Sequence, residues 1–182
     1  MAYQDMRHFM DTLEKAGELK RVPVEVDWRY EVSGWIRKTD DMRPRGPALL
    51  FEKLRGYSSE YRLASGLIGS YGRFAMALGL PPDTGVAEIV NAFRSRIKNP
   101  LPPVMVNDAP CHENIHLGSD IDLLRFPVPW WNPRDGGRFI GTWHGVISKD
   151  LHTGIRNVGM HRVQVFDRNH TGIGTLAMAH IS

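Results

Sequence analysis

GGRFIGTWHGVISKDLHTGIRNVGMHRVQVFDRNHTGIGTLAMAHIS, residues 136–182, decides how this chain is read. Two β-like runs flank the turn LHTG (151–154). A third run, TGIGTLAMAHIS (171–182), follows a second turn. Polar groups of wide chemical range sit among them: Thr142, His144, Asn157, His161, Arg162 and His180. A strand sends alternate side chains to opposite faces. In a regular strand Asn157, Gly159 and His161 therefore share one face, with Val158, Met160 and Arg162 on the other. A glycine inside a strand marks a bulge or a close backbone approach. An amide, a cation and an imidazole gathered near such a glycine could bind an anionic ligand or a metal. Taken singly, Arg162 reads equally as a surface arginine and His180 as a chain-end histidine.

Outward from this stretch, composition excludes several classes. Of 182 residues, 42% are hydrophobic and 24% charged, as in an ordinary globular protein of one domain, or one domain and part of another. The net charge is only +3, and no basic run carries interleaved aromatics, so nucleic acid binding has no support. Mean hydropathy is −0.32, and no apolar run approaches the roughly 18 residues that span a bilayer. The opening MAYQDMRHFMDTLEKAG is charged and amphipathic, without a secretory apolar core. One cysteine, Cys111, allows no internal disulfide and fits a reducing compartment. A cytoplasmic protein, with no membrane partner, is the expectation.

Toward the N-terminus the pattern alternates between helix and strand. Residues 5–17 place Phe9, Leu13 and Ala16 on one helical face, with Asp5 as N-cap and Gly17 as stop. LKRVPVEV (19–26) alternates like a strand, with Pro23 suggesting an edge or bulge. A second helix is expected over 29–38, a loop over 42–47, and strands over 48–51 and 61–68. Ser70 caps a helix that Gly79 ends. Thr84 begins another, in which Val86, Ile89, Val90, Phe93 and Ile97 form a core-facing stripe. NPLPP (99–103) breaks the pattern and marks a domain boundary, giving 1–103 and 104–182. Beyond it no helical pattern is convincing. LLRFPVPWWNPRDGG (123–137) reads as a loop that buries aromatics against a β-layer. DRNHTG (167–172) reads as a hairpin turn whose Asp, Asn and Gly tolerate positive φ.

The common catalytic signatures are absent: no phosphate-binding glycine loop, no CxxC, no HExxH. Cys111 beside His112 sits in an extended segment that points the two apart, and His144 and His152 read as solvated. A metal site built from Asn157 and His180 pairs a carbonyl oxygen with an imidazole nitrogen. Completed by a carboxylate, it suits Mn2+ or Mg2+ better than a soft metal, and such a metal commonly bridges to a phosphate. Arg162 adds a planar cation suited to a carboxylate or phosphate.

DGGRFIGTWHGVISKD, then NVGMHR, then His180 eighteen residues after Arg162, resembles the N-terminal part of the UbiD family of reversible decarboxylases, which use prenylated FMN. DMRHFMDTLEKAGELKRVPVEVD, GSYGRFAMALGLP and PCHENIHLGSDIDLLRFPVP resemble further family segments, so the likeness runs along the whole chain. It implies an α+β protein: a small N-terminal α/β layer, then the start of a flavin-reductase-like split β-barrel. It implies that Asn157 and His180 bind a divalent metal, Mn2+ or another, that bridges to the cofactor phosphate, with K+ as a further ion. Asn157, Val158, Gly159, Met160, His161 and Arg162 would line the prenylated flavin, as would Ala179 and His180, with Thr142 facing it. Arg162 would also orient the substrate carboxylate within a Glu–Arg–Glu network.

The reaction implied is decarboxylation of aromatic or α,β-unsaturated acids through a covalent prenylated-FMN adduct. A flavin prenyltransferase would supply the cofactor, and the full protein would be a homo-oligomer. The sequence ends two residues after His180, and no Glu follows Glu113. The resemblance therefore implies an N-terminal portion, inactive alone. A short subunit completed by a partner chain, or a non-catalytic interaction module, are the alternatives.

Overall fold

The computed structural model describes residues 3–42 and 46–175. The chain divides into two compact units that are each discontinuous in sequence. One comprises Met1–Val24, Trp35–Lys53 and Arg62–Ile115; the other comprises Glu25–Gly34, Leu54–Tyr61 and His116–Ser182.

In the first unit, α1 (Met6–Lys15) starts where the Asp5 carboxylate accepts the His8 amide at 2.8 Å. It ends at Gly17, whose φ of +76° a residue with a Cβ rarely adopts. Phe9 and Leu13 face inward. β1 (Leu19–Val26) is an edge strand of the sheet β1-β2-β3, completed by β2 (Ala48–Leu54) and β3 (Leu63–Ser65). An edge position tolerates Pro23, which has no amide to donate. The buried residues of β1 are Leu19, Val22 and Val26, so its alternation slips around the proline. Phe9, Leu13, Leu19, Ala48, Leu50 and Met76 form the core of this unit.

α2 (Glu31–Asp41) begins two residues later than the pattern predicts. α3 (Tyr71–Ala77) has Ser70 as its cap, the hydroxyl accepting the Arg73 amide, and Gly79 beyond its end at φ +69°. α4 (Val86–Lys98) is capped by Gly85 without a side-chain bond, because the Thr84 hydroxyl donates to the Pro81 carbonyl at 2.6 Å. Its expected core stripe is not buried. Ile89 is 2% exposed, but Val86, Val90, Phe93 and Ile97 lie between 44% and 61%.

The second unit holds the C-terminal strands. Gly118–Asp120 and Leu123–Arg125 are single 3-10 turns; Pro110–His112, in the first unit, is another, so Cys111 lies in a turn rather than an extended run, and it is exposed. The tryptophan-rich loop only half-buries Trp130 and Trp131 and leaves Phe126 exposed; what it buries is Pro127, Val128 and Pro129. The Trp130 indole donates to the Asp135 carbonyl at 3.1 Å, and its main chain bridges Trp28 and Tyr30. Tyr30 holds φ +66°, a costly conformation for a bulky residue, and its ring meets that of Trp130 edge-on. Arg138 lies 3.7 Å over the Trp28 ring and donates to the Tyr57 hydroxyl.

The two long β-runs are each broken once. β4 (Arg138–Gly141) and β5 (Gly145–Lys149) replace the first; β6 (Arg156–Met160) and β7 (Val163–Val165) replace the second; β8 (Thr171–Ile173) follows. β5 and β6 pair as a two-stranded ribbon, and β4-β7-β8 form a separate antiparallel sheet. The ribbon's tip closes on Asp150, whose carboxylate accepts the amides of His152 and Thr153 and the Thr153 hydroxyl. The β7–β8 turn closes on Asp167, which accepts the amides of Asn169 and His170. Apart from Tyr30, no described non-glycine residue has positive φ, so carboxylate acceptance shapes the second turn in place of the left-handed backbone expected there.

Candidate functional site

Register places the two strand breaks opposite each other. Gly141 pairs with Val163, and Gly145 pairs with Met160. Thr142–His144 on one side therefore faces His161 and Arg162 on the other. The β4–β7 register also shifts between Phe139 and Gly141, a bulge that bends the sheet where the ribbon leaves it.

On the ribbon, Asn157, Gly159 and His161 share one half-buried face, while Val158 and Met160 are 70% and 63% exposed on the other. Gly159 leaves both polar side chains room to lean over the backbone between them. A Cβ there would fall 2.6 Å from His161 Nε2 and 3.3 Å from Asn157 Nδ2. The amide and the imidazole thus lie over a patch of bare backbone. The structure brings these three residues together and turns Val158 and Met160 away.

Arg162 does not continue the ribbon. β6 ends at Met160, so the simple alternation that would put Arg162 beside Val158 and Met160 stops there. Arg162 joins the other sheet, its carbonyl accepting the Gly174 amide at 3.0 Å. Arg162, Gln164 and Phe166 then lie on one face at spacing two. Each crosses a glycine: Arg162 over Gly174, Gln164 beside Gly136 and Gly137, Phe166 over Gly172. The Arg162 guanidinium stands 5.9 Å from the Phe139 ring centre. These side chains, with Arg134, line an open cleft of about 420 Å3. That volume lies within the range of small-molecule sites.

Thr142 is exposed within the first break. Ala179 and His180 lie outside the described residues. His144, which composition alone left as solvated, is half-buried, and its Nδ1 is fully enclosed without a hydrogen-bond partner. The glycines under Arg162 and Phe166 were also missed, although Gly172 and Gly174 repeat at the strand period. Among the described residues no group of three or more His, Cys, Asp or Glu is placed to hold a metal.

The strands carry Arg138, His144, Lys149, Arg156, His161 and Arg162, and no carboxylate lies within 136–149 or 155–166. The carboxylates nearby are committed to turns. Asp150 is held below the ordinary carboxylate range, first by the Thr153 amide, and Asp167 likewise, first by the Asn169 amide. Asp135 also lines the cleft, its carboxylate taken by the Asn132 amide at 2.9 Å, so the two arginines of the lining outnumber it and favour an anionic ligand.

Two family models match in succession. The 3-octaprenyl-4-hydroxybenzoate carboxy-lyase N-terminal domain covers residues 10–93, and the carboxy-lyase Rift-related domain covers 103–182. The chain belongs to the UbiD family. It is 38% identical to a phenolic acid decarboxylase of Bacillus subtilis over 179 residues, which is 95% of this chain and 37% of that protein. The vanillic acid decarboxylase of Sedimentibacter hydroxybenzoicus, in its open form, superposes with a TM-score of 0.87 at 34% identity, over 98% of this chain and 39% of that one. A UbiD-class enzyme from Pelotomaculum thermopropionicum, solved in complex with prenylated FMN, gives 0.80 at 32% identity, over 94% of this chain and 38% of that one. This UbiD-family chain thus spans a little over a third of the length of the proteins it matches.

Proposed function

We propose that this chain carries the first wall of the cofactor site of a prenylated-FMN-dependent decarboxylase acting on aromatic or α,β-unsaturated carboxylic acids. The observation that carries the reading is the convergence of Asn157 and His161 over Gly159, beside a strand break that delivers Arg162. The donor set fits an anionic flavin nucleotide, and the bare backbone at Gly159 is a cradle that a Cβ would fill. Family membership and the flavin-bound relative support the same reading.

In this reading Asn157 and His180 hold a divalent metal, Mn2+ or a similar ion, next to the cofactor phosphate. Gly159, His161 and Thr142 contact the flavin, Val158 and Met160 contribute their main chain, and Ala179 adds a contact. Arg162 receives the substrate carboxylate, since a planar guanidinium pairs with it at two points. Bound there, prenylated FMN supplies the electron sink that loss of CO2 requires. K+ is a further ion of this proposal, and a flavin prenyltransferase is the supplier.

The two C-terminal sheets are, in this proposal, the start of a split β-barrel, within a domain that runs from 104 after an N-terminal domain over 1–103. No closed barrel exists among the described residues. Ile147 and Val158 pair across the ribbon and are 71% and 70% exposed, which supports further β-structure or a second subunit packing there. No described helix is long and apolar enough to cross a membrane.

Titration of the protein with FMN, with and without Mn2+, tests the reading. Mn2+ is expected to tighten FMN binding about tenfold, a usual size for coupling between neighbouring ligands. Asn157→Ala and His180→Ala are expected to remove that enhancement. FMN binding indifferent to Mn2+ in all three proteins would overturn the metal-bridged site.

A further inference from the structure

His144 occupies a seat built for it. A Cβ at Gly141 would overlap the His144 imidazole, so only glycine at 141 leaves room for the ring. Gly141 is itself buried at the bulge that ends β4. Seated there, the ring keeps Nδ1 away from solvent with no hydrogen bond, the only such side-chain atom among the described residues. An enclosed, unpaired polar atom is unfavourable and is relieved by a partner. Among the described residues no hydrogen bond to Nδ1 has to break for the ring to turn away.

We propose that His144 is an anion-binding residue of this site: its ring is parked on Gly141 in the free protein and turns to donate from Nδ1 to an anionic oxygen of the bound ligand. The inference rests on the flavin-nucleotide reading given above. Register sets the 142–144 break against His161 and Arg162, so the turned ring joins a cation, an imidazole and the Thr142 hydroxyl. None of these neighbours carries a negative charge that would satisfy the imidazole within the protein. A phosphate oxygen of a flavin nucleotide and the carboxylate of an aromatic acid share the required chemistry.

The test is 15N NMR of the histidine side chains in the 182-residue protein, titrated separately with FMN, riboflavin and benzoate. A shift of the His144 Nδ1 resonance with FMN but not riboflavin assigns the partner as the phosphate. A shift with benzoate assigns it as the carboxylate. Affinity for the ligand that moves the resonance is expected to fall about tenfold in His144→Phe, the size of one hydrogen bond to a charged group. It is expected to stay within about twofold in His144→Asn, whose amide nitrogen stands where Nδ1 stood. Amide spectra of both variants report whether β4 and β7 remain paired. If FMN binds and shifts His161 while His144 is unmoved and His144→Phe binds equally well, the inference falls and the flavin reading stands. If the protein binds neither FMN nor benzoate, both fall.

Discussion

Arg73 is the buried cation of the first unit, 2% exposed, and its three partners explain how it is kept there. Its guanidinium donates to Glu18 at 2.9 Å and to the carbonyls of Gly46 and Gly66 at 3.0 and 2.9 Å. Two of those acceptors are main-chain carbonyls. Arg73→Ala is expected to cost about 3 kcal/mol, read as a lower midpoint in urea at unchanged slope. A loss under about 1 kcal/mol would show that water replaces the arginine. At Gly159 the expected outcome is the reverse: function changes and fold does not. The added methyl of Gly159→Ala meets the tip of a movable His161 ring rather than backbone. Thermal midpoint should hold within a few degrees while FMN affinity drops about tenfold, one hydrogen bond's worth. Both residues lay in plain view of the sequence, but their weight did not. Asn157, Gly159 and His161 share a face by simple alternation, whereas the burial of Arg73 depends on Glu18, 55 positions away.

At the scale of elements, the hairpin turns titrate. Asp150 and Asp167 both have carboxyl pKa values lowered by the turn amides they accept. A lowered folded-state pKa means the ionised form is the one that stabilises the fold. That contribution is complete above the ordinary Asp value of about 3.9, and it is lost as pH falls through the lower folded value. Exchange protection of the His152, Thr153, Asn169 and His170 amides, relative to free amides at the same pH, should therefore be unchanged between neutrality and mildly acid pH, then fall below the ordinary Asp range. A loss of protection already at pH 6 would show that these carboxylates are not what holds the turns.

Elements with local signals were legible: the Asp5 and Ser70 caps, the Gly17 and Gly79 stops, and the full span of β1. The breaks at 142–144 and 161–162 were not: the apolar phase does shift between Met160 and Val163, but that shift alone does not show where pairing stops, and cross-strand register exposes it. The exposed stripe of α4 was misread for a related reason. Periodicity shows that a face is apolar, but what covers it lies elsewhere in the chain or in another molecule.

For the whole molecule, the first unit runs past NPLPP to Ile115, and the exchange of 25–34 and 54–61 into the second unit has no local signal in the sequence. Those segments are tied by contacts such as Tyr30 with Trp130 and Tyr57 with Arg138, separated by 100 and 81 positions, beyond any local pattern. The chemistry divides in the same way. Donors for an anion are plentiful between 136 and 175, while glutamate is absent after Glu113. The 182-residue protein supplied with prenylated FMN is therefore expected to release no CO2 from aromatic or unsaturated acids. Steady turnover that survives Arg162→Ala would show that neither Arg162 nor a glutamate is needed.

The claim on which the account turns is that the face of Asn157, Gly159 and His161, with Arg162 at its edge, receives the flavin. Mapping backbone amide shifts of the 182-residue protein as FMN is added in the presence of Mn2+ measures this directly. The account predicts a saturable set of shifts centred on 157–162 and extending to Thr142 and His144. Saturable shifts confined to the first unit, or none on β6 and the two strand breaks, would contradict it.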